Sequence, residues 1–323
     1  MDNNNSHIHE KFMRRALQLA RCGALDASPN PVVGAVIVSP QGDIIGEGWH
    51  RRCGEGHAEV NAVASVADKS LLHDATIYVT LEPCAHYGKT PPCAKLIIDR
   101  GIPRVVIGSA DPFAKVSGRG IAMLRDAGVD VTVGCLEEEC KALNPKFMTA
   151  HSLHRPYVTL KWAESADGYM DGHISSPLTS MLVHRERALH DAILVGSGTW
   201  VADTPRLDTR LYAGKSPRRV VLDRRGRIQP EEVEEDITIM SDYGSLADML
   251  TELYHRGITS LLVEGGAEVL GSFIEAGLWD TIRVERGTED IRGSIKAPDV
   301  PAGALTEETH IINGHTITYY HRK

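Results

Sequence analysis

The sequence predicts an α/β protein of two domains, and three observations predict it. Strand-like and helix-like runs alternate through both halves, as in a partly parallel sheet covered by helices. The 323 residues suit about two domains of ordinary size. A polar, basic stretch, NPKFMTAHSLHRP, interrupts the alternation, and a new strand-like run follows at Tyr157–Leu160. The expected domains are therefore 1–148 and 156–323, with 149–155 as linker.

In the first half, HEKFMRRALQLARCG places Phe12, Ala16 and Leu19 at helical spacing and stops near Gly23. VVGAVIVSPQGDIIGEGW predicts two strands joined by a turn at Gln41-Gly42-Asp43. HAEVNAVASVAD predicts a helix and ATIYVTL a strand. PPCAKLIIDRG begins with prolines, which favour a helix start, and ends at Gly101. Strand RVVIG, helix GIAMLRDAG and strand VDVTVG complete this half. The second half predicts helix TSMLVHRERALH, strands DAILVG and RRVVLD, helix SLADMLTELYHRG, strand SLLVEGG and helix AEVLGSFIEAG. THIINGHTITYY predicts a hairpin turning at Asn313-Gly314.

Composition narrows the function. The net charge of −8 lacks the basic footprint of a general nucleic-acid binder. No apolar run is long enough to span a membrane. The start, MDNNNSHIHEKFMRRALQLA, lacks the apolar core and cleavage site of a secretory signal, so a cytoplasmic protein is expected. There, paired cysteines bind metal or do chemistry more often than they form disulfides.

Those cysteines stand in EPCAHYGKTPPC, where Cys84 and Cys93 each follow a proline. Upstream, GHAEV supplies His57 and Glu59 at the start of a helix. One imidazole and two thiolates suit zinc and leave a fourth position for water. The pattern H-x-E, then P-C and a second Cys, is a zinc-deaminase signature, here with a longer loop between the cysteines. Zinc lowers the pKa of that water from about 15.7 to about 7, an easing of about 12 kcal/mol at about 1.36 kcal/mol per unit. Glu59 would move the proton to leaving ammonia rather than bind metal. Cys53 and His86 lie near enough to be rival ligands. Cys22, Cys135 and Cys140 are expected to be packed small residues.

The stretches SPNPVVGAVIV, GEGWHRRCGEGHAEVNA, TLEPCAHYGKTPPC and DPFAKVSGRGIAMLRDAGVDV resemble the deaminase half of the bifunctional riboflavin-biosynthesis deaminase–reductases. The resemblance covers nearly all of residues 8–148 and implies a cytidine-deaminase-like, three-layer fold. It implies hydrolytic loss of the 2-amino group from a phosphorylated pyrimidine, 2,5-diamino-6-ribosylamino-4(3H)-pyrimidinone 5′-phosphate. It also implies Zn2+ on His57, Cys84 and Cys93, Glu59 as proton shuttle, and substrate contacts from Asn30, His50 and Lys89. Phe113-Ala114 replaces the Asn-Pro expected after Asp111-Pro112, so that loop departs from the family's pattern.

In the second half, VGSGT and VEGGAEVLGSF bring glycines to strand ends and helix starts, where a backbone can approach phosphates. Most such pairs are only turns. RPYVTLKWAESADG, HRERALHDAILVGSGTWVADTPRLDTR, RRVVLD and LLVEGGAEVLGSFIEAGLWDTIRVE resemble the family's reductase half, a dihydrofolate-reductase-like domain. The resemblance implies reduction of the ribosyl group to ribityl by a nicotinamide cofactor. Ala163, Thr199, Asp203, Gly266, Ala267, Leu270 and Ser272 would line the cofactor. Lys161, Arg187, Leu207, Arg210 and Glu264 would face the substrate, the arginines suiting its phosphate. The strand RRVVLD runs into Arg224 and Arg225. An arginine there favours the 2′-phosphate of NADPH, with Arg224 the first candidate. The departures are Ala166 within SADG, a short YMDGHISSP loop with His173 where a Trp is usual, and Thr281 in place of an acid.

Two rival readings remain at this level: a deaminase whose reductase half only binds or assembles, and an RNA-editing module on the deaminase fold. Oligomeric state is left open.

Overall fold

A computed structural model describes residues 3–87, 91–113, 117–229 and 236–322. The chain forms two compact units, Met1–Leu153 and His154–Lys323. The expected linker 149–155 is helical for most of its length, because α6 runs Pro145–Leu153. Pro145 at its first position is itself a helix-start signal.

In the first unit, α1 (Asn3–Arg21), β1 (Gly34–Val38), β2 (Ile44–Trp49), α2 (Ala58–Ser65), β3 (Thr76–Leu81), α3 (Cys93–Asp99), β4 (Arg104–Ser109), α4 (Arg119–Asp126), β5 (Asp130–Val133) and α5 (Glu137–Ala142) precede α6. The sheet order is β2-β1-β3-β4-β5. β1 pairs antiparallel with β2 and β3, while β3, β4 and β5 run parallel. Alternation along β1 separates the two faces. Ala35 and Ile37 pack with Ala58, Ala62, Ala94, Ile97 and Leu124 of the helices on one side. Val36 and Val38 meet Phe12, Met13, Ala16 and Leu17 of α1 on the other. Helix–sheet–helix layering follows. At Gly34 a Cβ would lie 2.0 Å from the Ala16 carbonyl oxygen, so only glycine lets α1 sit this close.

The second unit contains β6 (Tyr157–Glu164), α7 (Pro177–Ala188), β7 (Ala192–Gly196), α8 (Ser197–Asp203), β8 (Arg218–Leu222), β9 (Ile237–Met240), α9 (Leu246–His255), β10 (Ser260–Val263), α10 (Ala267–Glu275), β11 (Thr281–Arg286), β12 (Leu305–Ile312) and β13 (His315–His321). The sheet order is β12-β13-β11-β6-β10-β7-β8-β9. Strands from β11 to β9 are parallel, and β12–β13 is an antiparallel hairpin. One face is apolar: Val158, Leu160, Leu261 and Val263 pack with Met249, Leu253, Leu270 and Phe273 of α9 and α10. The opposite face carries Lys161, Glu264, Arg283 and Glu285, brought side by side by strand register. These charges sit toward the carboxyl ends of parallel strands, where open α/β sheets bind ligands. No helix among the described residues is long and apolar enough to cross a membrane.

Candidate metal centre and nucleotide site

The cysteine loop and the start of α2 converge. Cys84 follows β3, and Cys93 opens α3 after Pro92. His57 precedes α2, and Glu59 lies in its first turn, where a carboxylate suits the helix dipole. The ligand atoms of His57, Cys84 and Cys93 all lie within 4.8 Å of one another. His57 Nδ1 is 3.6 Å from Cys84 Sγ and 3.3 Å from Cys93 Sγ. Among the described residues this is the one cluster able to hold a metal ion. Cys53 and His86 are both exposed and outside it. Cys140 is buried as expected and Cys135 partly so, but Cys22 is exposed, which corrects its reading as a packed residue.

The electrostatics suit a cation. The Cys93 backbone N–H donates to Cys84 Sγ at 3.3 Å. A side-chain hydrogen bond from Cys93, together with the nearby His57, lowers the Cys84 thiol to about 4, so a ligating thiolate is available near neutrality. Glu59 is 3% exposed, and that burial pushes its carboxyl up against the pull of His57. His50, also buried, presents its ring edge-on to His57 at 5.3 Å between centroids. Its Nε2 is 3.1 Å from Asn30 Nδ2. Burial lowers the His50 pKa, keeping the ring neutral beside the metal ligands. Asn30, His50, His57, Glu59, Cys84 and Cys93 thus form one site. Lys89 lies outside the described residues.

Sequence reasoning missed Glu82, two residues before Cys84. Its buried carboxylate accepts from the backbone N–H groups of Asp111, Gly118, Gly120 and Ile121 at 2.9–3.3 Å. It ties the Asp111 loop and the start of α4 to the cysteine loop. The Phe113 N–H donates to Asp111, whose carboxyl burial raises to about 6.

In the second unit, Arg187 donates to both oxygens of Glu264, at 3.1 and 2.8 Å, and to the Asp208 carbonyl. Arg210 pairs with the Asp208 side chain. Burial lowers the Lys161 ammonium despite Glu264 beside it. Burial alone would raise the Glu264 carboxyl, but Arg187 and Lys161 together hold it below the usual range. Lys161, Arg187, Glu264 and Arg210 therefore form one charged group. Leu207 is buried in an apolar cluster with Ile193, Val195 and Leu262, held at φ 54°. The buried Arg283 and Glu285 beside Lys161 were not anticipated from sequence.

A pocket of about 290 Å³ opens beyond β7, β8 and β10. Thr199, Arg224, Gly266 and Ser272 line it, joined by Arg227 and Tyr243, which sequence reasoning did not name. Ala163, Asp203, Ala267 and Leu270 do not line it. The Leu270 side chain is fully buried in the apolar core on the α9–α10 face.

Comparison with known proteins agrees with this division. Residues 6–109 match the cytidine and deoxycytidylate deaminase zinc-binding region, and residues 156–285 match the RibD C-terminal domain. The riboflavin biosynthesis protein RibD of Bacillus amyloliquefaciens is 38% identical, over 92% of this chain and 88% of that protein. RibD of Escherichia coli K12 is 35% identical, over 94% and 96%. A crystal structure of the Thermotoga maritima diaminohydroxyphosphoribosylaminopyrimidine deaminase/5-amino-6-(5-phosphoribosylamino)uracil reductase superposes with a TM-score of 0.86 at 35% identity, covering 99% of this chain and 100% of that one. Acinetobacter baumannii RibD gives 0.87 at 30%, with the same coverage.

Fold and sites together define a zinc-binding, cytidine-deaminase-like unit joined to a dihydrofolate-reductase-like unit. The RNA-editing reading is not favoured, since the relatives match along both units. The chain belongs to the RibD family of bifunctional deaminase–reductases in riboflavin biosynthesis.

Proposed function

We propose that the enzyme deaminates 2,5-diamino-6-ribosylamino-4(3H)-pyrimidinone 5′-phosphate and then reduces its ribosyl group to ribityl with NADPH. The observation that carries the first step is the convergence of His57, Cys84 and Cys93 with the buried Glu59. His57, Cys84 and Cys93 would hold a zinc ion, which would supply Lewis acidity and lower the pKa of water to about 7. Glu59 takes the proton and hands it to the departing ammonia, a role suited by its raised pKa. Asn30 and His50 hold the pyrimidine beside it, together with Lys89.

For the second step, Lys161, Arg187, Arg210 and Glu264 bind and orient the phosphorylated substrate, with Leu207 closing the apolar side. A bound reduced nicotinamide would supply the hydride. Thr199, Gly266 and Ser272 line the pocket beside Arg224 that is assigned to the adenosine end of NADPH, and Ala163, Asp203 and Ala267 are assigned to the cofactor through the family's pattern. The cytoplasm is the proposed setting. Following ammonia release and NADPH oxidation separately tests both steps. Ammonia without oxidation would reduce the second unit to a binding role.

Two side chains support a preference for NADPH over NADH. Asp223, the acid at the end of β8, is 1% exposed, and its carboxylate accepts the Ile228 N–H at 2.8 Å. It is turned into its own loop and is not presented to a ribose hydroxyl. Arg225 is engaged by Glu268 at 3.1 Å, whereas Arg224 has no carboxylate partner among the described residues. Arg224→Ala should weaken NADPH by about 10- to 150-fold, the worth of a charge-assisted hydrogen bond, and leave NADH nearly unchanged. Titrating both cofactors checks this. An equal loss for both would remove Arg224 from phosphate recognition.

A further inference from the structure

The cofactor pocket contains an aromatic side chain to which no role has yet been given. Tyr243 lies between β9 and α9, in the segment SDYGS, and lines the pocket with Gly266 and Thr199. The Arg224 guanidinium carbon sits 4.5 Å from the centroid of its ring. Arg224 Nη2 also donates to the backbone carbonyls of Tyr243 and Gly244, at 3.4 and 3.3 Å. One short loop therefore supplies a ring face and two acceptors to a single guanidinium.

Those contacts fix an otherwise mobile side chain. Arginine has a long rotamer-rich stem, and ordering it at the moment of binding costs affinity. A guanidinium already stacked on an aromatic ring has met that cost, and its remaining N–H groups stay available for oxygens. The neighbouring arginine is held differently: Arg225 pairs with Glu268 in the first turn of α10, which places a carboxylate beside its guanidinium. Stacking on Tyr243 leaves the charge of Arg224 intact.

We infer that Tyr243 is a positioning residue for NADPH recognition, holding the Arg224 guanidinium where the 2′-phosphate arrives. The inference rests on the assignment of this pocket to the adenosine end of NADPH. It adds a residue that acts through Arg224 and determines specificity between the phosphorylated and unphosphorylated cofactors. Because the ring face does the holding, Phe at this position should serve as well as Tyr.

The test uses the full-length protein and two fragments of the cofactor, adenosine 2′,5′-bisphosphate and 5′-AMP, with binding followed by calorimetry. The wild type should favour the bisphosphate, and Tyr243→Phe should behave like it. Tyr243→Leu should lose about two- to fivefold for the bisphosphate, the scale of an exposed cation–π contact, and bind 5′-AMP unchanged. In an Arg224→Ala background, Tyr243→Leu should cause no further loss. Equal weakening of both ligands would make Tyr243 a base-stacking platform and overturn the inference. So would additive losses with Arg224→Ala, or a loss in Tyr243→Phe as large as in Tyr243→Leu. A wild type that does not distinguish the two ligands would overturn the NADPH reading itself, and the inference with it.

Discussion

With Glu59 replaced by glutamine, the protein keeps its zinc and releases ammonia more slowly by about 10²- to 10⁴-fold, the range of positioned proton transfer. The substitution preserves volume and hydrogen-bonding reach but removes the group that takes up and gives back a proton. Glu59 is not one of the three clustered ligands, so metal content should match the wild type. It is also buried beneath them, so little else should move. Metal analysis beside an ammonia assay checks both halves of the expectation. A variant near the wild-type rate would remove Glu59 from proton transfer, and a metal-free variant would make it a ligand.

Cys93→Ser has the opposite signature. Cys93 is 2% exposed and contributes both a sulfur to the ligand set and, through its backbone, a hydrogen bond to Cys84. Serine keeps the backbone contact and loses the thiolate, so metal and deamination should both fall to background. Reduction of already deaminated substrate should be largely unaffected, because the described residues of the second unit contain no metal-binding cluster. Chelation of the wild type should reproduce this pattern. Loss of the second step as well would mean that the reductase reaction depends on the metal.

The candidate metal centre was the most legible part of the sequence. The three side chains that could hold an ion come from two short segments, and in each a local rule places the side chain: a helix start at His57, and a proline before each cysteine. The alternating segments likewise predicted most strands of both sheets, but not β9 or β11. The second site was less legible because register assembles it. Lys161 lies on β6, Arg283 and Glu285 on β11, and Glu264 just beyond β10, so they become neighbours only when β10, β6 and β11 align. Thr281, Arg283 and Glu285 alternate with Ile282 and Val284, the same period-two pattern that a strand with one face in solvent carries. In the fold, Tyr319 of β13 meets Arg283, and Glu186 of α7 meets Tyr319, so that face is covered. Leu270, within a nucleotide-type motif, has its side chain turned into the core by the helix periodicity of α10. Tyr243 carries no periodic or motif signal and becomes meaningful only beside Arg224.

The most direct test is to incubate the purified protein with the diaminopyrimidinone ribosylamino phosphate and weigh the products, with and without NADPH. Without NADPH, the product should have exchanged one amino group for oxygen and gone no further. With NADPH, the same molecule should also have gained two hydrogens on its sugar. Unchanged substrate in both reactions, or a sugar reduced while the amino group remains, would contradict the proposed sequence of deamination followed by reduction.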